Sequence, residues 1–106
     1  MIETAKINEI VNKIAIKFAP EKIILFGSYA ANNPNEDSDL DLLIIQDSDL
    51  PRHQRGFEIY KSLIGSMIPI NILVYTNKEF EQEKDEQYSF INSAIKTSKI
   101  LYERPN

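Results

Sequence analysis

The sequence predicts an α/β (α+β) fold: a single domain, residues 1–106, with a small mixed β-sheet of three to four strands flanked by helices mainly on one side. Three observations carry this. Apolar runs of strand length, at 22–27, 39–46 and 68–76, interleave with stretches of helical periodicity. The length of 106 residues suits one domain with one core. No internal repeat, low-complexity tract or linker divides the chain.

Each element follows from local pattern. Residues 3–19 place Ile7, Ile10, Val11, Ile14 and Phe18 at helical spacing, and Pro20 closes the segment. "KIILFG" (22–27) reads as a short strand buried on both faces and stopped by glycine. "AANNPNED" (30–37) is rich in turn formers and reads as a loop. "DLDLLIIQ" (39–46) is the second strand, and "DSDLPR" (47–52) a loop whose Pro51 suits a first helical turn. Residues 52–66 carry Phe57, Tyr60, Ile64 and then Met67 on one helical stripe, ending near Gly65. "IPINILVYT" (68–76) is the third strand. "TNKE" (76–79) matches a capping box, Thr76 as cap and Glu79 reaching back, so a helix starts there. Tyr88, Ile91 and Ile95 mark a last helix, and "KILYE" (99–103) a short edge strand.

Composition narrows the chemistry. With no cysteine, disulfides and thiolate metal sites are excluded, and a reducing cytoplasm is the expected setting. No apolar stretch approaches the roughly 20 residues of a membrane span, and the acidic, amphipathic N-terminus does not read as a signal peptide. A soluble intracellular protein is expected. The net charge of −4 argues against broad electrostatic binding of nucleic acid. His53 is the only histidine, which excludes a histidine-based metal site, and no Ser-His-Asp or Cys-His set is present.

The chemistry concentrates in "GSYAANNPNEDSDLDLLI", residues 27–44. Alternate strand residues share a face, so Asp39 and Asp41 project together, their Cα atoms roughly 6–7 Å apart. Two carboxylates this close repel unless a cation sits between them. Magnesium suits them, because it takes one or two carboxylates and completes its shell with water and substrate phosphates. Gly27, lacking a Cβ, lets the backbone approach a ligand, and Ser28 adds a hydroxyl donor beside the amides of a strand-to-helix turn. One turn is thus read as a phosphate cradle and the neighbouring strand as the holder of the metal.

The Gly-Ser pair at 27–28, ten residues, and then "DLD" at 39–41 preceded by Ser38 resembles the signature of the polymerase-beta-like nucleotidyltransferases. Within that superfamily the chain is most similar to the minimal nucleotidyltransferase branch, through "IPINILVYTNKEF" (68–80) and "SFINSAIKTSKILYE" (89–103) as well. The resemblance implies the nucleotidyltransferase fold and a magnesium-dependent reaction. A nucleoside monophosphate, AMP from ATP, passes to an acceptor hydroxyl while pyrophosphate leaves. It implies that Gly27, Ser28, Asp39 and Asp41 bind the nucleotide and that Asp39 and Asp41 hold Mg2+, two ions with the second weakly held. It also implies a HEPN-family toxin as partner, with this chain as antitoxin.

The sequence departs from the pattern twice. The family's third strand carries a further carboxylate in a "P-V-D-V" context, where this chain has "P-I-N-I" and therefore Asn71. An amide oxygen can ligate magnesium but brings no charge and cannot accept a proton. Either transfer is weakened and the chain acts as a nucleotide-binding or partner-binding module, or Asp37 or Glu36 compensates. After Ala30, relatives carry Arg-Gly where this chain has Ala31 and Asn32; asparagine tolerates positive φ, so the turn survives without the cation. Arg52, His53 and Arg55 read as a solvated basic turn, with an anion nearby as the alternative. Tyr29 reads as a packing residue, with stacking on a base as the alternative, and "EFEQEKDEQ" (79–87) as a solvated helical face. The acceptor, the base preference and any homo-oligomer are left open.

Overall fold

A computed structural model of the chain describes residues 1–105. The first helix, α1 (Thr4–Phe18), turns Ile7, Ile10, Val11 and Ile14 into the core. It ends at Ala19, which takes a left-handed conformation and bonds back to the Ala15 carbonyl before Pro20 prevents continuation. Strand β1 (Lys22–Phe26) runs straight into the single turn α2 (Gly27–Ala30), and β2 (Leu40–Ile45) follows the loop. A 3₁₀ turn (Arg52–Gln54) and α3 (Phe57–Ser62) cross to β3 (Ile70–Tyr75). Helices α4 (Asn77–Glu83) and α5 (Phe90–Ile95) and strand β4 (Lys99–Glu103) complete the chain.

The sheet has four strands in the order β3-β2-β1-β4. Strand β1 lies antiparallel to β2 and β4, and β2 lies parallel to β3, so the sheet is mixed, as its alternation of strand and helix predicts. The two-residue period of the strands sorts side chains into two cores. Ile23, Leu25, Leu40, Leu42, Ile44 and Val74 meet α1 and α3 on the larger face. Ile24, Leu43, Ile45 and Tyr75 meet Phe80 of α4 and Ile91 of α5 on the smaller one. The longest helix thus covers one side, and two short ones cover part of the other.

The segment 52–66 is shorter and differently oriented than its stripe suggests. Gly56 sits at φ +81 ahead of α3, which separates the 3₁₀ turn from a helix of only six residues. Ile59 and Leu63 are the buried residues here, while Phe57, Tyr60, Ile64 and Met67 are exposed. Two apolar stripes coexist on this short helix, and contact with Val74 and its neighbours selects the second. Tyr88 likewise falls outside α5 and is exposed, because Ser89 caps that helix through the Asn92 amide.

Candidate functional site

The register of the sheet assembles the site. Phe26 at the end of β1 pairs with Asp41, and Asp41 pairs with Asn71 near the start of β3. Asp41 and Asn71 therefore stand side by side on the smaller-core face, one layer beyond Leu43 and Leu73. Asp39 lies just ahead of β2 rather than within it, yet reaches the same point. The Asn71 amide nitrogen donates to Asp39 Oδ2 at 3.1 Å and to Asp41 Oδ1 at 3.0 Å. Asp39 and Asn71 are exposed and Asp41 is half-buried.

Gly27 is placed against this pair. Its φ is +75, and a Cβ there would overlap Asp41 Oδ2 and lie 3.0 Å from Asp41 Cγ. Glycine is required twice, for the backbone conformation and for the room its missing side chain leaves the carboxylate. The following turn is held by the Ala31 amide on the Gly27 carbonyl and the Asn33 amide on the Ser28 carbonyl, with Asn32 at φ +60. Next, Asn35 Oδ1 accepts from the Asp37 amide at 2.8 Å and Ser38 Oγ accepts from the Asn35 amide at 2.9 Å. These local bonds replace a regular ladder and deliver Asp39 to the sheet. The structure thus brings Gly27, Asp39, Asp41 and Asn71 to one end of β1, β2 and β3, with Ser28 the next residue along the turn.

Two carboxylates presenting oxygens to one shared point, beside a backbone that admits close approach, form a hard-oxygen donor set that fits a divalent cation. Among the described residues no group of three or more His, Cys, Asp or Glu side chains converges on a metal-sized space. Glu36 and Asp37 accordingly do not join Asp39 and Asp41 in such a group.

A family model described as a nucleotidyltransferase domain matches residues 5–102, almost the whole chain. The chain belongs to the nucleotidyltransferase-domain family. A protein from Methanocaldococcus jannaschii, provisionally named a protein adenylyltransferase, is 34% identical over 107 residues, covering 96% of this chain and all of that one. A crystal structure of a provisionally assigned nucleotidyltransferase from Sulfolobus solfataricus superposes with a TM-score of 0.65 at 20% identity. It covers 94% of this chain and 79% of its own, and it supports the fold.

Other residues of the nucleotidyltransferase fall away from the carboxylates. Arg52 and Arg55 lie at the opposite end of β3, where Arg55 pairs with both Glu79 oxygens at 2.6 and 3.2 Å and Arg52 reaches Glu83 at 3.0 Å. The acids that meet them come from α4, so this cluster braces the fold. Tyr29 packs in the larger core, its hydroxyl accepting from the Ile2 amide at 2.8 Å. Lys99 reaches Asn32 Oδ1 at 3.3 Å, but it pairs with Leu25, whose side chain faces the larger core and not Asp41. One contact near the site has only a faint mark in the sequence: Phe26, cross-strand from Asp41, meets Phe90 edge-to-face at 5.5 Å. An aromatic at the last position of β1 was the available signal.

Proposed function

We propose that this nucleotidyltransferase moves AMP from ATP, as its magnesium complex, to a hydroxyl on a protein acceptor. The single observation that carries the reading is the meeting of Asp39 and Asp41 at one point beside Gly27. Asp39 and Asp41 would hold the cation, which supplies neutralisation of phosphate charge and polarisation of the phosphoryl group. Gly27 lets the Asp41 carboxylate lie against the turn that would meet the triphosphate, and Ser28 offers the triphosphate a hydroxyl donor. In transfer, the acceptor oxygen bonds to the α-phosphorus as the bond to the β-phosphate oxygen breaks and pyrophosphate leaves. Such chemistry asks a protein mainly for alignment and charge placement. Asn71 has no basic site, so of the three polar side chains only Asp39 or Asp41 can take up the acceptor proton. The relative named as a protein adenylyltransferase supports both ATP and a protein acceptor. The resemblance to minimal nucleotidyltransferases extends the proposal to an antitoxin acting on a HEPN-family partner.

The Asn71 hydrogen bonds favour a second reading, in which the site binds nucleotide but transfers it slowly. Incubation with α-labelled ATP, magnesium and candidate partner protein separates the two, with pyrophosphate release as the readout. Label transfer that falls by at least about 100-fold in both D39N and D41N supports the enzyme. Transfer that persists in these variants overturns the assignment. Magnesium-dependent ATP binding without pyrophosphate release supports the binding module.

A further inference from the structure

We propose that the Asn71 amide is a built-in stand-in for the cation: its NH2 group bridges Asp39 and Asp41 in the metal-free protein, and a metal must displace it to enter. The inference rests on the metal-site reading above. One nitrogen lies 3.1 Å from Asp39 Oδ2 and 3.0 Å from Asp41 Oδ1. Ionised carboxylates only accept hydrogen bonds, whereas an amide has a donating and an accepting end. Two acceptors on one side leave a single favourable orientation, with the two N–H bonds divided between them. The partial positive charge of the NH2 group then relieves the repulsion that the pair would otherwise suffer.

That orientation is the wrong one for a metal. A hard divalent cation takes the amide oxygen, not the nitrogen. Asn71 cannot bridge the acids and ligate the ion with the same atom. For a cation to bind, the amide must turn over or swing aside, giving up two charge-assisted hydrogen bonds. Asn71 is exposed, which leaves room for the motion. The bridge therefore holds the two carboxylates together when no metal is bound and sets a threshold on metal entry. An aspartate at this place would do the reverse. It would add a third negative charge to the empty site and a third anionic ligand to the filled one.

Thermal unfolding in EDTA and in rising Mn2+, together with calorimetric Mn2+ titration and no nucleotide, tests this on wild type, N71D and N71A. Wild type is expected to unfold at the highest temperature in EDTA, because both variants lose the bridge. N71D is expected to bind Mn2+ about tenfold or more tightly than wild type and to show the larger rise in unfolding temperature with metal. N71A, with the bridge removed and no ligand added, falls below wild type in EDTA and binds Mn2+ more tightly than wild type, though less tightly than N71D. Equal unfolding temperatures in EDTA together with equal Mn2+ affinities for wild type and N71A overturn the stand-in and leave the metal site intact. Failure of every form to bind Mn2+ overturns both.

Discussion

Gly27 and Asp41 are coupled by space, which gives the residue scale its sharpest test. A Cβ at position 27 would overlap one Asp41 oxygen, and the φ of +75 already disfavours any side chain. G27A is expected to cost about 1–3 kcal/mol, read as a shift in the urea unfolding midpoint. In a D41G background the carboxylate that collides is gone, and only the backbone strain remains. The two changes should therefore be less than additive, with a coupling of at least about 0.5 kcal/mol in a double-mutant cycle. Strict additivity would place the cost of G27A in the backbone alone. The sequence reads Gly27 as room for a ligand, and in the structure the space of the missing Cβ is taken by the Asp41 carboxylate. The shared direction of Asp39 and Asp41 was legible from the local two-residue period, although a turn ahead of the strand, not the strand itself, carries Asp39. The two hydrogen bonds of the Asn71 amide were not, because they depend on the pairing of β2 with β3 some 30 residues away.

At the scale of elements, α4 is fastened to the end of β3 by the capping box and a guanidinium clamp. Thr76 accepts from the Glu79 amide while Glu79 Oε1 accepts from the Thr76 amide. Arg55 adds its fork to the same carboxylate and also donates to the Leu50 and Val74 carbonyls. Arg52 stacks on the Tyr75 ring at 4.0 Å. The capping box was readable from "TNKE", since its partners are three residues apart. The clamp was not: its cations resemble a solvated turn and its acids a solvated helix face, and they meet across 24 and 31 residues. The Arg55 hydrogen bonds, the Thr76 amide and the nearby Arg charges hold the Glu79 carboxyl at about 2, against an ordinary 4.5. A carboxyl lowered on folding contributes stability that is complete above the unfolded value and is lost as pH falls through the folded one. Wild type should therefore exceed E79Q by on the order of 2 kcal/mol at pH 6. The gap should narrow between pH 4.5 and 2. Urea midpoints for both proteins across that range check it, and a gap that stays constant with pH would remove Glu79 from the clamp.

For the whole molecule, the distribution of burial ranks the strands and places the site within that ranking. Five of the six β2 residues, Leu40, Leu42, Leu43, Ile44 and Ile45, are no more than 1% exposed, and the strand is paired on both edges. Strand β4 is an edge, it is half-buried at best, and its register with β1 shifts between Ile23 and Ile24. The apolar run of β2 announced its place in the core, whereas the exposed stripe of α3 misled, because helical spacing alone does not say which of two stripes meets a sheet. Central placement should make β2 amides exchange with solvent only on global unfolding, while β4 opens on its own. Amide exchange by NMR is expected to show the β1-bonded amides of β4 exchanging at least about tenfold faster than those of Leu42 to Ile44. Equal protection of the two strands would mean that the sheet opens as one unit. The consequence reaches the site, because Asp41 and Asn71 sit on the β2–β3 ladder while Asp39 hangs just ahead of it. The ladder fixes Asp41, and the short turn of Asn35 and Ser38 has to place Asp39 against it. An S38A variant should accordingly loosen Asp39 and weaken Mn2+ binding while leaving the exchange of β2 unchanged. Exchange that quickens along β2 in S38A would show that the turn supports the sheet as well.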